Sequence, residues 1–235
     1  MISTAEPAPG FHLRRRIALV LLGAGLLLAA WAALLPFGFA PARAQEDETR
    51  RDAWQQPDRV MDALGIGPGS HVADVGCGEG YFVLRVARRA GPQGHVFGVD
   101  LDELALRKLR RRLEEEGLTN VEVISSRADD TMLPAESVEV ILVVNAYHEM
   151  READAMLRGM YAALKPGGLL AVIDSPGRSE DDREAHRRAH TIAESMLRDD
   201  ARRNGFRFLR SEQGFRRPDG ERHDWFFLIF QKPTA

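Results

Sequence analysis

The chain has 235 residues, room for one catalytic-size domain rather than two. Its 32 basic and 35 acidic residues give a formal charge of −3, so there is no electrostatic footprint for nucleic acid as the main partner. Cys77 is the single cysteine, which excludes an intramolecular disulfide and with it a stapled secreted scaffold.

Arg14, Arg15 and Arg16 precede an uncharged run over residues 17–40 that holds a leucine-rich core and Trp31. Ala42-Arg43-Ala44 then offers an A-x-A-like cleavage site. Positive end, apolar middle and small-residue exit make a secretory signal. Residues 17–35 also have the length to span a bilayer uncleaved, and Pro36 and Gly38 break the run where a peptidase needs extended chain. Under either reading the arginines stay inside and the remainder is exported, either as a periplasmic or secreted protein or as one held by residues 17–40. The parse is therefore a signal peptide or anchor over 1–44, a linker and first helix over 45–70, and the main domain over 71–235.

Residues 45–51 are polar and charged and read as an exposed linker. Trp54, Val60, Met61 and Leu64 are spaced as the buried stripe of a helix over 52–64, which Gly65, Gly67, Pro68 and Gly69 end. Strands are predicted at 71–75, 95–99, 121–125, 138–144 and 169–174, alternating with helices at 81–89, 102–116 and 152–164. Such alternation implies parallel βαβ units with helices on both faces of a buried sheet. The tail breaks the pattern with a charged helix over 182–204 and strands at 206–210 and 224–230, joined through the turn signal Asp219-Gly220. The fold class expected is α/β: a doubly wound, mostly parallel seven-stranded sheet finished by an antiparallel pair.

Asp74-Val75-Gly76-Cys77-Gly78-Glu79-Gly80 follows the first strand. Its alternating glycines let the chain turn sharply with no side chain between backbone and ligand. The spacing is G-x-G-x-G, not the G-x-G-x-x-G that seats a pyrophosphate on a helix N-terminus. Asp100 ends the second strand, 20 positions beyond Gly80. A carboxylate there can accept bonds from both ribose hydroxyls, or it can cap the next helix, a role open to Asp102 as well. Lys165-Pro166-Gly167-Gly168 stops a helix and turns the chain into the fifth strand. The basic run Arg107–Arg112 is followed by Glu114, Glu115 and Glu116, and reads as solvated helix charge.

Together these residues resemble the class I S-adenosylmethionine-dependent methyltransferases, in particular small bacterial domains with W-Q-x-P ahead of the glycine turn, here Trp54-Gln55-Gln56-Pro57. The resemblance covers residues 54–174 and fades beyond. It implies S-adenosylmethionine as cofactor, with Gly76, Cys77, Gly78 and Gly80 passing close to its methionine part and Asp74 helping to hold its amino group. Asp100 would then take the ribose and Leu101 line the adenine pocket. Asp129, in Ala128-Asp129-Asp130, would approach adenine, although the preceding Arg127 departs from the commoner pattern. The Lys165–Gly168 turn matches a structural landmark of the family.

Asn145-Ala146-Tyr147-His148-Glu149 follows the fourth strand, at the carboxyl edge beside the transferable methyl. His148 is the candidate base, since its ordinary pKa lies near neutrality, with helix capping as its bland alternative. Asn145 and Tyr147 are candidates for orienting an acceptor, and Asn145 also for the cofactor. Ala146 replaces the prolines of the N-P-P-[YF] signature, so an amide or nucleobase acceptor is not inferred. His186 and His190 stand four apart on the tail helix, but with Glu184 and Arg187 around them and no third ligand evident they read as a solvated face, and no metal is expected. Cys77 reads as a packing residue. The function expected is methyl transfer to a small-molecule acceptor, with no nucleic-acid partner and membrane contact only through the N-terminal segment. A nicotinamide-dependent oxidoreductase and a non-catalytic exported module that binds an adenosine metabolite are the alternatives.

Overall fold

The computed structural model describes residues 40–215 and 224–234, with side chains over 48–213 and 224–234. The apolar run at 17–40, apart from its last residue, and the Asp219-Gly220 turn lie outside the described residues. Among the described residues no helix is long and apolar enough to cross a membrane. Contacts divide the chain into Met1–Thr49 and Arg50–Ala235, and the sheet and site described below lie in the second unit.

Two helices lead in, α1 (Ala40–Gln55) and α2 (Pro57–Ala63), where the sequence suggests a linker over 45–51 and one helix over 52–64. Residues 45–51 are helical. The break has a local cause: the ring of Pro57 disfavours a helical residue before it, and Gln56 turns into the left-handed region at φ 45°. Pro57 then starts the new helix at a position that needs no amide hydrogen.

The core alternates as expected: β1 (His71–Val75), α3 (Tyr81–Ala90), β2 (His95–Asp100), α4 (Glu103–Glu116), β3 (Val121–Ser125), β4 (Val138–Val144), α5 (Ala153–Ala163) and β5 (Leu164–Asp174). The tail adds α6 (Arg183–Ala189), α7 (Glu194–Arg203), β6 (Arg207–Phe215) and β7 (Trp225–Gln231). The seven strands form one sheet in the order β3-β2-β1-β4-β5-β7-β6. β1 to β5 are parallel, and β7 pairs antiparallel with both β5 and β6. The strand order reverses between β1 and β4, which is where an open sheet of this kind places its ligand crevice.

The central strands are covered on both faces, as parallel strands require. One face packs Val72, Val96 and Leu142 against Leu84, Leu106 and Leu109, and the other packs Ile141, Val143 and Val172 against Leu157, Met160 and Leu197. Each fully buried leucine contributes roughly 1.5–3 kcal/mol over an exposed one.

Two boundaries differ from expectation. β5 begins at Leu164, five residues early, because Lys165–Gly168 is taken into the strand as a bulge: Val138 pairs with Leu164, and Val140 with Leu169. The tail helix is split in two. His190 ends α6 in the left-handed region at φ 53°, and Ile192 then lies beside Pro176, donating its amide to the Ser175 carbonyl. No glycine or proline announces that break, yet it decides where His190 goes.

Candidate functional site

The turn after β1 runs through three positive-φ glycines, Gly76, Gly78 and Gly80. At Gly76 a Cβ would stand 2.4 Å from the Ala146 Cβ, and at Gly80 it would meet Leu109 at 2.3 Å. Side chains are therefore excluded twice, by backbone conformation and by packing. The turn is held to β2 by Asp100: its Oδ2 accepts the Gly78 amide at 2.8 Å and its Oδ1 the Asp102 amide at 2.9 Å. Asp102 caps α4, accepting from the amides of Leu104 and Ala105. Asp102 thus takes the cap, and each Asp100 oxygen keeps a lone pair for a ligand.

Two cavities meet at this edge. The first, of about 400 Å³, is lined by Gly76, Asp100, Leu101, Ala128, Asn145 and Met150, among others. Leu101 is 66% exposed, an apolar side chain held out over the cavity. The second, of about 480 Å³, is lined by Arg51, Trp54, Gln55, Asn145, Ser175, Ala189, His190 and Trp225. Asn145 lines both, at φ 54° in the left-handed region where only glycine and short polar side chains sit easily. Trp54 and Trp225 meet edge to face, with ring centroids 4.7 Å apart.

Of the candidate cofactor residues, Gly76, Asp100, Leu101 and Asn145 line a cavity, while Cys77, Gly78 and Gly80 shape the turn behind it. Asp129 is a correction: it is exposed on the turn between β3 and β4 and lines neither cavity, whereas Arg127 and Ala128 do. The amide of Arg127 donates to the Asp130 carbonyl, and this small turn swings Asp129 outward. Asp74 is buried. Burial and the charge of Asp100 push its carboxyl up to about 7, with Arg51 pulling the other way. Cys77 is buried as well, and burial with the two acids raises its thiol far above the usual range, so it packs rather than attacks.

The segment after β4 holds a second correction. Tyr147 is fully buried, and its hydroxyl donates to Asp200 at 2.8 Å, inside the core and away from both cavities. It braces α7 and does not orient an acceptor. His148 is also buried, 2% exposed, and lines neither cavity itself. Its Nδ1 lies 2.8 Å from Asp174 Oδ1, and its amide donates to the other oxygen of the same carboxylate at 3.2 Å. A carboxylate acceptor fixes the tautomer: Nδ1 carries the hydrogen and Nε2 keeps a lone pair. Desolvation lowers the imidazole pKa, but the bond and charge of Asp174, helped by Glu149, outweigh it and raise it above the ordinary value. Nε2 lies 3.3 Å from Nδ1 of His190 and 3.6 Å from Glu149 Oε1.

His186 and His190 do not share a solvated face. His186 is buried against Thr191, while His190 is 72% exposed and leaves the helix to reach His148. The residues that the sequence pattern does not bring into the site are Asp174, Glu149, His190 and Arg51. Asp174 carries a signal, being an acid at the carboxyl end of a central strand as Asp100 is. His190 carries none, because its position depends on the split tail helix.

Residues 72–168 match the family model described as a methyltransferase domain. Demethylmenaquinone methyltransferase of Listeria welshimeri is 35% identical over 116 residues, 49% of each chain. The ubiquinone/menaquinone biosynthesis C-methyltransferase of Vibrio campbellii is 32% identical over 116 residues, 49% of this chain and 45% of its own. This chain therefore spans about half the length of the curated relatives it matches. A solved S-adenosylmethionine-dependent methyltransferase from Aquifex aeolicus shares the fold at TM-score 0.66 and 23% identity, over 82% of this chain and 98% of that one. Residues 72–168 are thus similar to methyltransferase domains, and the sheet has the Rossmann-like fold of the solved methyltransferase.

Proposed function

We propose that the chain transfers a methyl group from S-adenosylmethionine to a small planar aromatic acceptor that carries a phenolic hydroxyl. The observation that carries the reading is the pair of cavities joined at Asn145. The residues fit the cofactor: Asp100 offers two carboxylate oxygens beside the Gly76 turn for a ribose, Leu101 supplies an apolar cover for adenine, and Asp74 and Arg51 offer opposite charges for an amino acid's ammonium and carboxylate. When bound, the cofactor supplies an activated methyl on a sulfonium, and the protein's part is positioning and exclusion of water. The second cavity, walled by Trp54 and Trp225, suits a flat acceptor. The relatives named for quinone-precursor methylation support that acceptor class.

In this reading Asp174 positions His148, whose Nε2 lone pair serves the acceptor side and withdraws the hydroxyl proton through His190, the histidine that lines the cavity. Ionising the acceptor raises the electron density of the atom that attacks the methyl. Export is part of the proposal and rests on Arg14–Arg16, the run at 17–40 and Ala42-Arg43-Ala44, with residues 1–44 as signal or anchor and 71–235 as the catalytic domain.

Titrating the purified chain with S-adenosylmethionine, S-adenosylhomocysteine and NAD tests the cofactor half of the proposal. Saturable one-to-one binding of the first two is expected; saturable NAD binding with none for S-adenosylmethionine would overturn it. The Asp74 carboxyl adds a pH signature. Its pKa near 7 leaves it neutral in acid and ionised above, and only the ionised form attracts an ammonium. Affinity should rise about tenfold between pH 6 and pH 8, and Asp74→Asn should flatten the profile. Stability runs the opposite way. The folded chain holds this proton more tightly than the unfolded one, so the stabilisation is present below pH 3.8 and lost as pH climbs through about 7.

A further inference from the structure

His148, Glu149 and His190 bring three potential ligand atoms within 4.8 Å of one another. The separations are 3.3 Å between His148 Nε2 and His190 Nδ1, and 3.6 Å from each of those nitrogens to Glu149 Oε1. Zinc–nitrogen bonds of about 2.0–2.1 Å in a tetrahedral set place neighbouring ligand atoms about 3.3–3.4 Å apart. A small octahedral cation such as magnesium, with bonds of about 2.0–2.1 Å, needs them about 3.0 Å apart and prefers oxygen. The three edges fit the first geometry.

We propose that His148 Nε2, His190 Nδ1 and Glu149 Oε1 hold a divalent zinc-type cation at the junction of the two cavities, with its fourth position open to the acceptor. A second observation points the same way. Asp174, fully buried, accepts from Nδ1 of His148 and leaves the opposite nitrogen of the neutral ring with its lone pair; that nitrogen sits on a side chain only 1% exposed and is aimed at the cluster. A carboxylate behind a metal-binding histidine is what fixes ring orientation and raises basicity in such sites. The ring planes of the two histidines cross at 88°, so both nitrogens converge from different directions. Two histidines and a glutamate with one open position form a catalytic rather than a structural donor set.

The placement has a chemical use. Glu149 lines the first cavity and His190 the second, so the cation would sit where a phenolic oxygen beside the methyl group can reach it. Coordination of that oxygen lowers its pKa, and the proton leaves to solvent. This rests on the transferase reading for its purpose but not for its chemistry. With the cation in place His148 is a ligand, and the acidification assigned above to its lone pair passes to the metal.

The test uses the full chain without an affinity tag, stripped with chelator and titrated with Zn²⁺ by calorimetry and with Co²⁺ by visible absorption, in the absence of S-adenosylmethionine. One equivalent of Zn²⁺ and a tetrahedral Co²⁺ spectrum are expected. His190→Ala and Glu149→Gln alter exposed side chains and should fold normally; each should weaken Zn²⁺ by more than about tenfold, and Asp174→Asn by about 10–100-fold. Absence of both the stoichiometric Zn²⁺ and the Co²⁺ spectrum would overturn the proposal and leave a plain histidine–histidine hydrogen bond. Equal Zn²⁺ binding in the His190 and Glu149 variants would overturn it too. A parallel sample titrated with S-adenosylmethionine separates the two readings: failure there counts against the transferase and leaves the metal result standing.

Discussion

His148→Ala is expected to lower kcat by about 100-fold while the affinity for S-adenosylmethionine stays within about twofold of the parent. The split follows from position. His148 lines neither cavity, and its side-chain bonds go to Asp174, His190 and Glu149 rather than to Asp100 or Gly76, so the cofactor does not feel its loss directly. The acceptor side does, because the truncation removes the nitrogen that Asp174 has prepared and leaves His190 and Glu149 without their buried anchor. Both roles given to Nε2, relay to the acceptor or ligand to a cation, predict this outcome. The side chain is buried, so the variant also loses stability, and its thermal midpoint must be recorded beside the rate. Free imidazole should restore part of the rate by refilling the cavity, a result that a merely destabilised fold would not give. An unchanged kcat would remove His148 from the reaction.

Asp100→Ala carries the second large effect, about a 100-fold loss of S-adenosylmethionine affinity. Two charge-assisted bonds to a ribose are worth about 1.5–3 kcal/mol each when made in a shielded site, and only part of the sum survives truncation. The change also releases the Gly78 amide, held at 2.8 Å, and so loosens the turn that shapes the cavity. Asp100→Asn keeps one acceptor oxygen and should lose about tenfold, placing it between parent and alanine variant. The helix behind should survive in both, because its cap is Asp102. Calorimetry with S-adenosylmethionine and S-adenosylhomocysteine checks the series; equal affinity in Asp100→Ala would take that carboxylate out of the site.

The parts of the molecule written in local chemistry are legible in the amino-acid sequence alone. Alternating apolar strands and amphipathic helices dictate a parallel sheet, and the glycine turn with Asp100 beyond it locates the crevice. What is not legible depends on tertiary packing. Pro57 gives a visible reason for the broken first helix, but the split at His190 follows from pairing of Ile192 with the chain after β5, a contact that no residue pattern advertises. That contact carries His190 from a helix face to within reach of His148, so the solvated histidine pair disappears with the helix that would have supported it. Tyr147 departs from expectation for a different reason. The segment after β4 does face the crevice, yet Asn145 turns into the left-handed region and Tyr147 opens a single 3-10 turn, so Asn145 looks out while Tyr147 reaches inward to Asp200. Asp129 stands next to the wall that Arg127 and Ala128 provide, one residue too far along the chain.

The most direct measurement is transfer of labelled methyl from S-adenosylmethionine to a panel of phenols and hydroquinones, read as S-adenosylhomocysteine formed in step with methylated product. Turnover on at least one planar phenolic acceptor is predicted, lost through binding in Asp100→Ala and through rate in His148→Ala. Tight binding of S-adenosylmethionine with no S-adenosylhomocysteine formed across the panel, with Zn²⁺ supplied and withheld, would contradict the account and leave a domain that holds the cofactor without using it.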